Sequence, residues 1–257
     1  MSADARLELV ALRDFPSVGN GDDLAALIAA SATRTGLAFA DGDVVVVAQK
    51  IVSKAENRFV DLQAVNPSPH AREVAEATGK DPRLVETILG DSRRVVRTRP
   101  DILIVEHRLG YVVANAGVDR SNVGADARGD HALRLPEDPD ASAAAIRTAL
   151  EARTGKRLAV VVSDSFGRAW RLGTVGVALG AAGLPAIVDQ RGSRDLFGRT
   201  LQSTVVGYAD EIAAAASLLM GEADEGRPVV VVRGLRWSAP PTPASALIRP
   251  EAEDLFR

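Results

Sequence analysis

Three stretches of the chain share one pattern, in which an apolar run breaks abruptly into small and polar residues. The first is residues 44–47, all valine, followed by Ala48-Gln49-Lys50-Ile51-Val52-Ser53-Lys54. The second is residues 111–113, followed by Ala114-Asn115-Ala116-Gly117-Val118-Asp119-Arg120-Ser121-Asn122. The third is residues 158–162, followed by Ser163-Asp164-Ser165-Phe166-Gly167-Arg168. Each reads as a strand ending in a turn, and the carboxyl ends of strands are where α/β proteins usually gather ligands. Asp119 and Asp164 stand just past such ends. Two carboxylates with hydroxyl and amide oxygens beside them suit a hard divalent cation, Mg²⁺ or Mn²⁺, which prefers oxygen and keeps waters for phosphate. Lys54, Arg168 and Arg171 can neutralise phosphate or carboxylate groups. Structural roles compete for the same residues: Asp119 can form an Asx turn, Asp164 can cap the segment after it, and Lys54 can be a solvated charge.

A fourth stretch, Met220-Gly221-Glu222-Ala223-Asp224-Glu225-Gly226-Arg227, packs three carboxylates before an apolar run at 229–232. It reads first as a polar helix–strand loop with a glycine cap, and second as a metal or nucleotide contact. Gly173, Gly176, Gly180 and Gly183 recur at helical spacing, which predicts close packing of a small-residue helix rather than a phosphate cradle. Trp170 and Trp237 fit either a core or an interface. The three histidines, His70, His107 and His131, are scattered. No G-x-x-x-x-G-K-[ST], no G-x-G-x-x-G after a strand, no G-x-S-x-G and no H-E-x-x-H is present.

Composition narrows the classes further. With no cysteine, disulfides, thiolate zinc sites, iron–sulfur clusters and a cysteine nucleophile are excluded. Lys plus Arg total 31 against 34 Asp plus Glu, a net charge of −3. That near balance argues against nucleic-acid or membrane-surface partners held by bulk positive charge. The start, MSADARLELV, lacks the basic and apolar regions of a secretory signal. Residues 172–188 are uncharged, but they carry four glycines and Pro185. They read as a helix and a buried strand rather than a membrane span, and the expected location is the cytoplasm.

These features need elements to position them. Short Val- and Ile-rich runs at 7–12, 44–47, 102–105, 111–113, 158–162, 186–188 and 229–232 predict buried strands. Helices are expected from a cap at Asp22 or Asp23 to Arg34, over 69–78, from Asp81-Pro82 to Leu89, from Asp140 or Ser142 to Arg153, and over 210–220. Gly36, Gly79, Gly155 and Gly221 supply stops. Three strand-like runs in succession over 91–125 break any regular alternation. The pattern favours an α+β fold with a mixed sheet over a doubly wound one. Polar clusters at 66–70 and 125–140 are the candidate loops or lobe boundaries.

At these segments the chain resembles the coenzyme F420-0:L-glutamate ligase family of γ-glutamyl ligases. The match is carried by Gly21-Asp22-Asp23-Leu24, Ile51-Val52-Ser53-Lys54-Ala55-Glu56, Asn115-Ala116-Gly117-Val118-Asp119-Arg120-Ser121-Asn122-Val123 and Ser163-Asp164-Ser165-Phe166-Gly167-Arg168-Ala169-Trp170-Arg171. Asp195-Leu196-Phe197-Gly198, Ala209-Asp210-Glu211-Ile212-Ala213 and a tail beginning Arg249-Pro250-Glu251 continue it. Each motif is weak alone; their common order through nearly the whole chain is strong.

The resemblance implies a GTP-dependent ligation of L-glutamate to coenzyme F420-0, a deazaflavin phospholactate, through an acyl phosphate, with release of GDP and phosphate. It implies Mg²⁺ or Mn²⁺ with K⁺ in support, and an intertwined homodimer. It implies one γ-glutamyl ligase unit over 1–257, of two interlocked lobes and distinct from P-loop and Rossmann folds, with no fused flavin-binding domain. Position by position, Asp119 and Asp164 match the family's metal-binding aspartates, Ser165 its neighbouring metal-contacting Thr, and Glu222 a further metal contact. Phe15, Pro16, Ser17, Val18, Gln49, Lys54, Asn122 and the 220–227 stretch match nucleotide contacts; Asp119, Asp164 and Lys54 would be the catalytic set. Two departures stand out: Ser163-Asp164-Ser165 replaces Thr-Asp-Thr and keeps the hydroxyl, while Ala48-Gln49-Lys50 replaces Thr-Ser-Lys and changes the reach of the central side chain. A ligase of this architecture acting on another acceptor acid, or a non-catalytic nucleotide-binding homologue, would share most of these residues.

Overall fold

A computed structural model describes residues 6–121 and 130–255. In chain order the first half contains β1 (Glu8–Ala11), α1 (Leu24–Thr35), β2 (Val44–Ala48), α2 (Gln49–Ala55), β3 (Phe59–Asp61), α3 (Pro69–Thr78), α4 (Pro82–Gly90), β4 (Ser92–Arg99), β5 (Ile102–His107) and β6 (Val112–Ala114). The second half contains β7 (His131–Leu133), α5 (Pro139–Thr154), β8 (Ala159–Arg168), β9 (Arg171–Ala182), β10 (Val188–Asp189), β11 (Val205–Val206), α6 (Tyr208–Met220) and β12 (Val229–Arg233). The fold is α+β.

Local chemistry explains the helix ends. Asp23 accepts the Ala26 N–H at the start of α1, Ser68 the Ala71 N–H before α3, Asp81 the Arg83 N–H before α4 and Asp138 the Ala141 N–H before α5. Proline opens α3, α4 and α5, where its missing N–H costs nothing. Gly36, Gly79 and Gly155 close α1, α3 and α5 in the left-handed conformation. The α5 cap is Asp138 rather than Asp140 or Ser142. Asp140 is used elsewhere, accepting backbone N–H groups from Ala181, Ala244 and Ser245.

Five strands form the main sheet in the order β1-β12-β2-β8-β9. β2 and β8 pair in parallel and the other pairs are antiparallel. The valine runs are continuous because the central strands are buried on both faces. Val45, Val47, Val160, Val162, Val229 and Val231 pack against α1 and α5. Val44, Val46, Val161, Val230 and Val232 pack against α6. A separate core joins α3 and α4 to β5 through Val74, Val85, Ile88, Leu103 and Val105, beside the three-stranded sheet β4-β5-β6.

The small-residue stretch is the main correction. Residues 171–182 form strand β9, not a helix. A Cβ on Gly176 would stand 2.4 Å from the Ala213 carbonyl oxygen in α6, and one on Gly180 would stand 2.0 Å from the Pro139 carbonyl oxygen in α5. The glycines let helices ride directly on the strand. Ser163 pairs with Ala178 and Val162 with Gly180, so Leu179 is an extra residue. That bulge flips the phase and turns the two glycines to opposite faces of the sheet. Of the expected 186–188 strand only Val188 lies in β10, which pairs with β11.

His107 is buried at the end of β5. Its Nδ1 accepts the Leu109 N–H at 3.0 Å, which assigns the proton to Nε2. Burial pushes its pKa from 6.5 down to about 4; buried Asp91 resists that shift, and Arg108, Arg134 and Arg58 reinforce it. A proton that the unfolded chain takes up near pH 6.5 is therefore refused by the folded one until about pH 4. Stability falls as pH drops through that window. In His107→Asn, whose carbonyl can accept the same N–H, this contribution should vanish. Urea midpoints measured from pH 7 to pH 4 should decline less steeply for the variant; parallel declines would dismiss His107 as the source.

Candidate functional site

The sheet topology brings four sequence-distant segments to one edge. β12 is antiparallel to both β1 and β2, so β1, β2 and β8 run in the same direction. Their carboxyl ends lie together, beside the start of β12. The Leu12 N–H donates to the Val229 carbonyl at 2.9 Å, and the Ala48 N–H to the Pro228 carbonyl at 2.8 Å. Residues 15–18 after β1, α2 after β2, the far half of β8 and the 220–228 loop thus surround a cavity of about 460 Å³.

Two of the expected turns are regular structure. After Ala48 the chain enters α2 at once. β8 does not stop at Val162 but runs on to Arg168 as half of a hairpin with β9. Ser163 pairs with Ala48 of β2, and Asp164 with Val177 of β9. Asp164 is therefore held on a strand rather than on a loop.

Asp164 lines the cavity. Its Oδ1 accepts the Ser165 N–H at 2.9 Å. Burial pushes its carboxyl up from 3.8 to about 7; the Ser165 N–H and Lys50 oppose the shift, while Asp119 and Glu222 add to it. The pair of aspartates is thus within electrostatic reach, and the site is short of positive charge. Ser165 Oγ donates to Glu222 Oε2 at 2.9 Å, tying β8 to the 220–228 loop.

Asp119 arrives from a different direction. Asn115, Ala116 and Gly117 all take positive φ, at 54, 54 and 68°, a left-handed turn after β6. Asp119 then bridges Leu133 of β7 through both backbone groups. The carboxylate closes an Asx turn, accepting the Ser121 N–H at 2.7 Å and Ser121 Oγ at 2.9 Å. It also pairs with Lys50 Nζ at 2.7 Å. Burial works against its charge, but Lys50 and the Ser121 hydrogen bonds outweigh it and hold the carboxyl below its ordinary range. Asp119 is a turn-former; it is not among the lining residues, and it meets the cavity wall only through its ion pair with Lys50.

Lys50 is the residue that the sequence reading passed over. It lines the cavity with Lys54, one helical turn away on α2. The Lys54 ammonium is half-buried, and its pKa is lowered by burial and then by Lys50. Gln49 is buried and lines the cavity, its Oε1 accepting Ser53 Oγ at 2.9 Å. Phe15, Pro16, Ser17, Val18, Ser165 and all of 220–227 also line it. Gly221 is both the cap of α6 and part of the wall, with its φ at 74°. Arg168 and Arg171 are exposed at the hairpin tip and are not among the lining residues. Asn122 lies outside the described residues.

Among the described residues, no three His, Asp or Glu side chains gather closely enough to hold an ion unaided. The available donors are all oxygen: Asp164, Asp119, Glu222 and the Ser165 hydroxyl. That set fits Mg²⁺ or Mn²⁺ shared with phosphate and water, and not a soft metal.

A family model described as F420-0:Gamma-glutamyl ligase matches residues 14–234. Relatives named Coenzyme F420:L-glutamate ligase are similar over almost the whole length. The protein of Methanothermobacter thermautotrophicus is 48% identical over 255 residues, covering 98% of this chain and 99% of its own. That of Methanopyrus kandleri is 47% identical over 241 residues, covering 92% of each. That of Natronomonas pharaonis is 44% identical over 259 residues, covering 98% of this chain and 95% of its own. The chain belongs to the F420-0:gamma-glutamyl ligase family, whose members are ligases that close a carbon–nitrogen bond.

Proposed function

We propose that this protein joins L-glutamate to coenzyme F420-0 by an amide bond and drives the reaction with GTP. The observation that carries the proposal is the gathering of Asp164, Lys50 and the Ser165–Glu222 pair around one cavity, with Asp119 ion-paired to Lys50, in a chain whose relatives bear that name.

The chemistry sets the requirements. A carboxylate acylates poorly because oxide is a poor leaving group. In the first step an acceptor carboxylate oxygen attacks the γ-phosphorus of GTP. The bond from that phosphorus to the bridging oxygen breaks, and GDP leaves. In the second step the glutamate amine attacks the acyl carbon. Phosphate departs with the bonding pair, and the amine nitrogen loses a proton. Both steps bring anions together, so the protein's work is positioning and charge compensation.

Lys50 and Lys54 supply positive charge on one face of α2. The 220–228 loop and residues 15–18 enclose the nucleotide and exclude water. Asp164, Asp119, Glu222 and Ser165 would hold divalent metal, Mg²⁺ or Mn²⁺, which when bound neutralises phosphoryl oxygens; K⁺ is proposed to assist. The decisive assay incubates the protein with GTP, Mn²⁺, L-glutamate and coenzyme F420-0, followed by mass spectrometry of the acceptor. A gain of one or more glutamyl units is expected, with one GDP for each. GTP turnover with an unchanged F420-0 mass would refute this acceptor.

A homodimer acting in the cytoplasm belongs to the same proposal. Leu172 and Leu196 are fully exposed, and Phe197 and Trp170 nearly so. These large apolar side chains lie on the β8–β9 hairpin and the 190–204 segment, and such exposure marks a contact surface. Among the described residues no helix is long and apolar enough to cross a membrane. Light scattering at micromolar concentration should give twice 27.0 kDa; a monomer mass would end the dimer proposal.

A further inference from the structure

We propose that Ser121 is a positioning residue that fixes the Asp119 carboxylate and the Lys50 ammonium relative to one another, and thereby sets the affinity of the site for its divalent cation. The inference rests on the metal-binding reading of Asp119 given above.

Ser121 touches both charged groups. Its backbone N–H donates to Asp119 Oδ1 at 2.7 Å. Its hydroxyl donates to Asp119 Oδ2 at 2.9 Å and accepts Lys50 Nζ at 2.9 Å. The third side of the triangle is the Lys50–Asp119 ion pair at 2.7 Å. The hydroxyl has one proton, and the carboxylate claims it, so an oxygen lone pair is left for the ammonium. Each Asp119 oxygen then carries one Ser121 hydrogen bond, and the carboxylate plane cannot rotate without losing one of them. Oδ2 also takes the Lys50 ammonium, so it is Oδ1 that keeps a lone pair for a cation.

An Asx turn alone does not need this hydroxyl, since the N–H closes it. A serine used only for the turn would be replaceable by alanine. The surroundings hold the triangle in place. Asp119 is bridged to Leu133 on one side. Arg120 on the other side pairs with Asp130, which Arg83 grips at 2.7 Å. The turn is braced from both sides, while the carboxylate is oriented by Ser121. Groups that orient a metal ligand typically control affinity about 10- to 100-fold.

The test uses the full chain. Free Mn²⁺ is measured by electron paramagnetic resonance as each protein is titrated in the presence of GDP. Ser121→Ala, at an exposed position, should keep the wild-type melting temperature. It should bind Mn²⁺ about tenfold more weakly, and Ser121→Thr, which restores a hydroxyl, should recover most of that loss. In steady state the alanine variant should need about tenfold more Mn²⁺ for half-maximal rate, with its KM for glutamate unchanged. Asp164→Asn is the control. If Asp164→Asn loses Mn²⁺ while Ser121→Ala binds it like the wild type, the Ser121 inference alone is overturned. If Asp164→Asn also binds like the wild type, the metal reading falls and the inference with it.

Discussion

Asp164→Asn should lower kcat/KM by about three orders of magnitude or more at saturating Mg²⁺ or Mn²⁺, about 4 kcal/mol of transition-state stabilisation, while the fold survives. The substitution keeps the side chain's size and removes its charge. Asp164 stands on β8 with Ser163 and Ser165 paired to neighbouring strands, so the backbone does not depend on the carboxylate. Its role would be to counter, through a cation, the repulsion between two reacting anions, and a neutral amide does this poorly.

Stability should move the other way. The folded state holds the Asp164 proton up to about pH 7, against 3.8 for the ordinary carboxyl. The native protein thus loses stability as pH rises through that window, because partial burial and the nearby Asp119 and Glu222 carboxylates resist its ionisation. Asparagine never ionises. The variant should therefore melt higher than the ligand-free wild type at pH 8, and the gap should close toward pH 4. Near wild-type turnover would remove Asp164 from the reaction, and a melting temperature well below wild type at pH 8 would contradict its electrostatic setting.

Gly180→Ala should be one of the most damaging single methyl additions among the described residues. Its Cβ would stand 2.0 Å from the Pro139 carbonyl oxygen, 2.3 Å from the carbonyl carbon and 2.9 Å from the Asp140 nitrogen. All three are backbone atoms in the first turn of α5, so no side chain can swing aside. Overpacking against backbone costs about 3 kcal/mol or more, which at this chain length is a fall of about 10 °C in melting temperature. Gly173→Ala offers the contrast. It has a φ of +83° but nothing within 4 Å, so it should cost only the backbone term, about 1 kcal/mol. Calorimetry on the two variants decides the point. Equal melting temperatures would mean that α5 lifts from β9 at little cost.

What the sequence disclosed follows from how local each signal is. The caps of α1, α3 and α4 lie within three residues of the groups they satisfy, and their bounds were readable. The valine runs of β2 and β12 were readable because burial on both faces leaves no polar residue to confuse the period. β9 was not. Gly173, Gly176, Gly180 and Gly183 recur every three or four positions, which imitates a helix, yet Gly176 answers to α6 and Gly180 and Gly183 to α5, which lie elsewhere in the chain. The far half of β8 looked like a turn because Ser163, Asp164 and Ser165 are polar; a strand that projects past its sheet may carry polar residues freely.

The candidate site was legible in a similarly uneven way. Asp119 and Asp164 were found from strand-end chemistry. Residues 15–18 entered through family resemblance alone, and 220–227 read first as a polar loop and only second as a metal or nucleotide contact, since their meeting depends on β12 inserting antiparallel between β1 and β2. Lys50 was overlooked beside Lys54, although a helix from Gln49 would put both on one face.

The division of labour along the cavity rim has an outcome for how such an enzyme can be retargeted. Asp164 rides on a strand paired with β9, one residue past the end of its pairing with β2, whereas residues 15–18 and 221–228 hang as connections from β1 and β12. Lineages or laboratory libraries can rewrite those connections, in length as well as composition, and explore other nucleotides without retuning the acid at the centre. The tolerance ends at Glu222, whose link to Ser165 makes it the hinge pin on which any grafted loop would have to be hung.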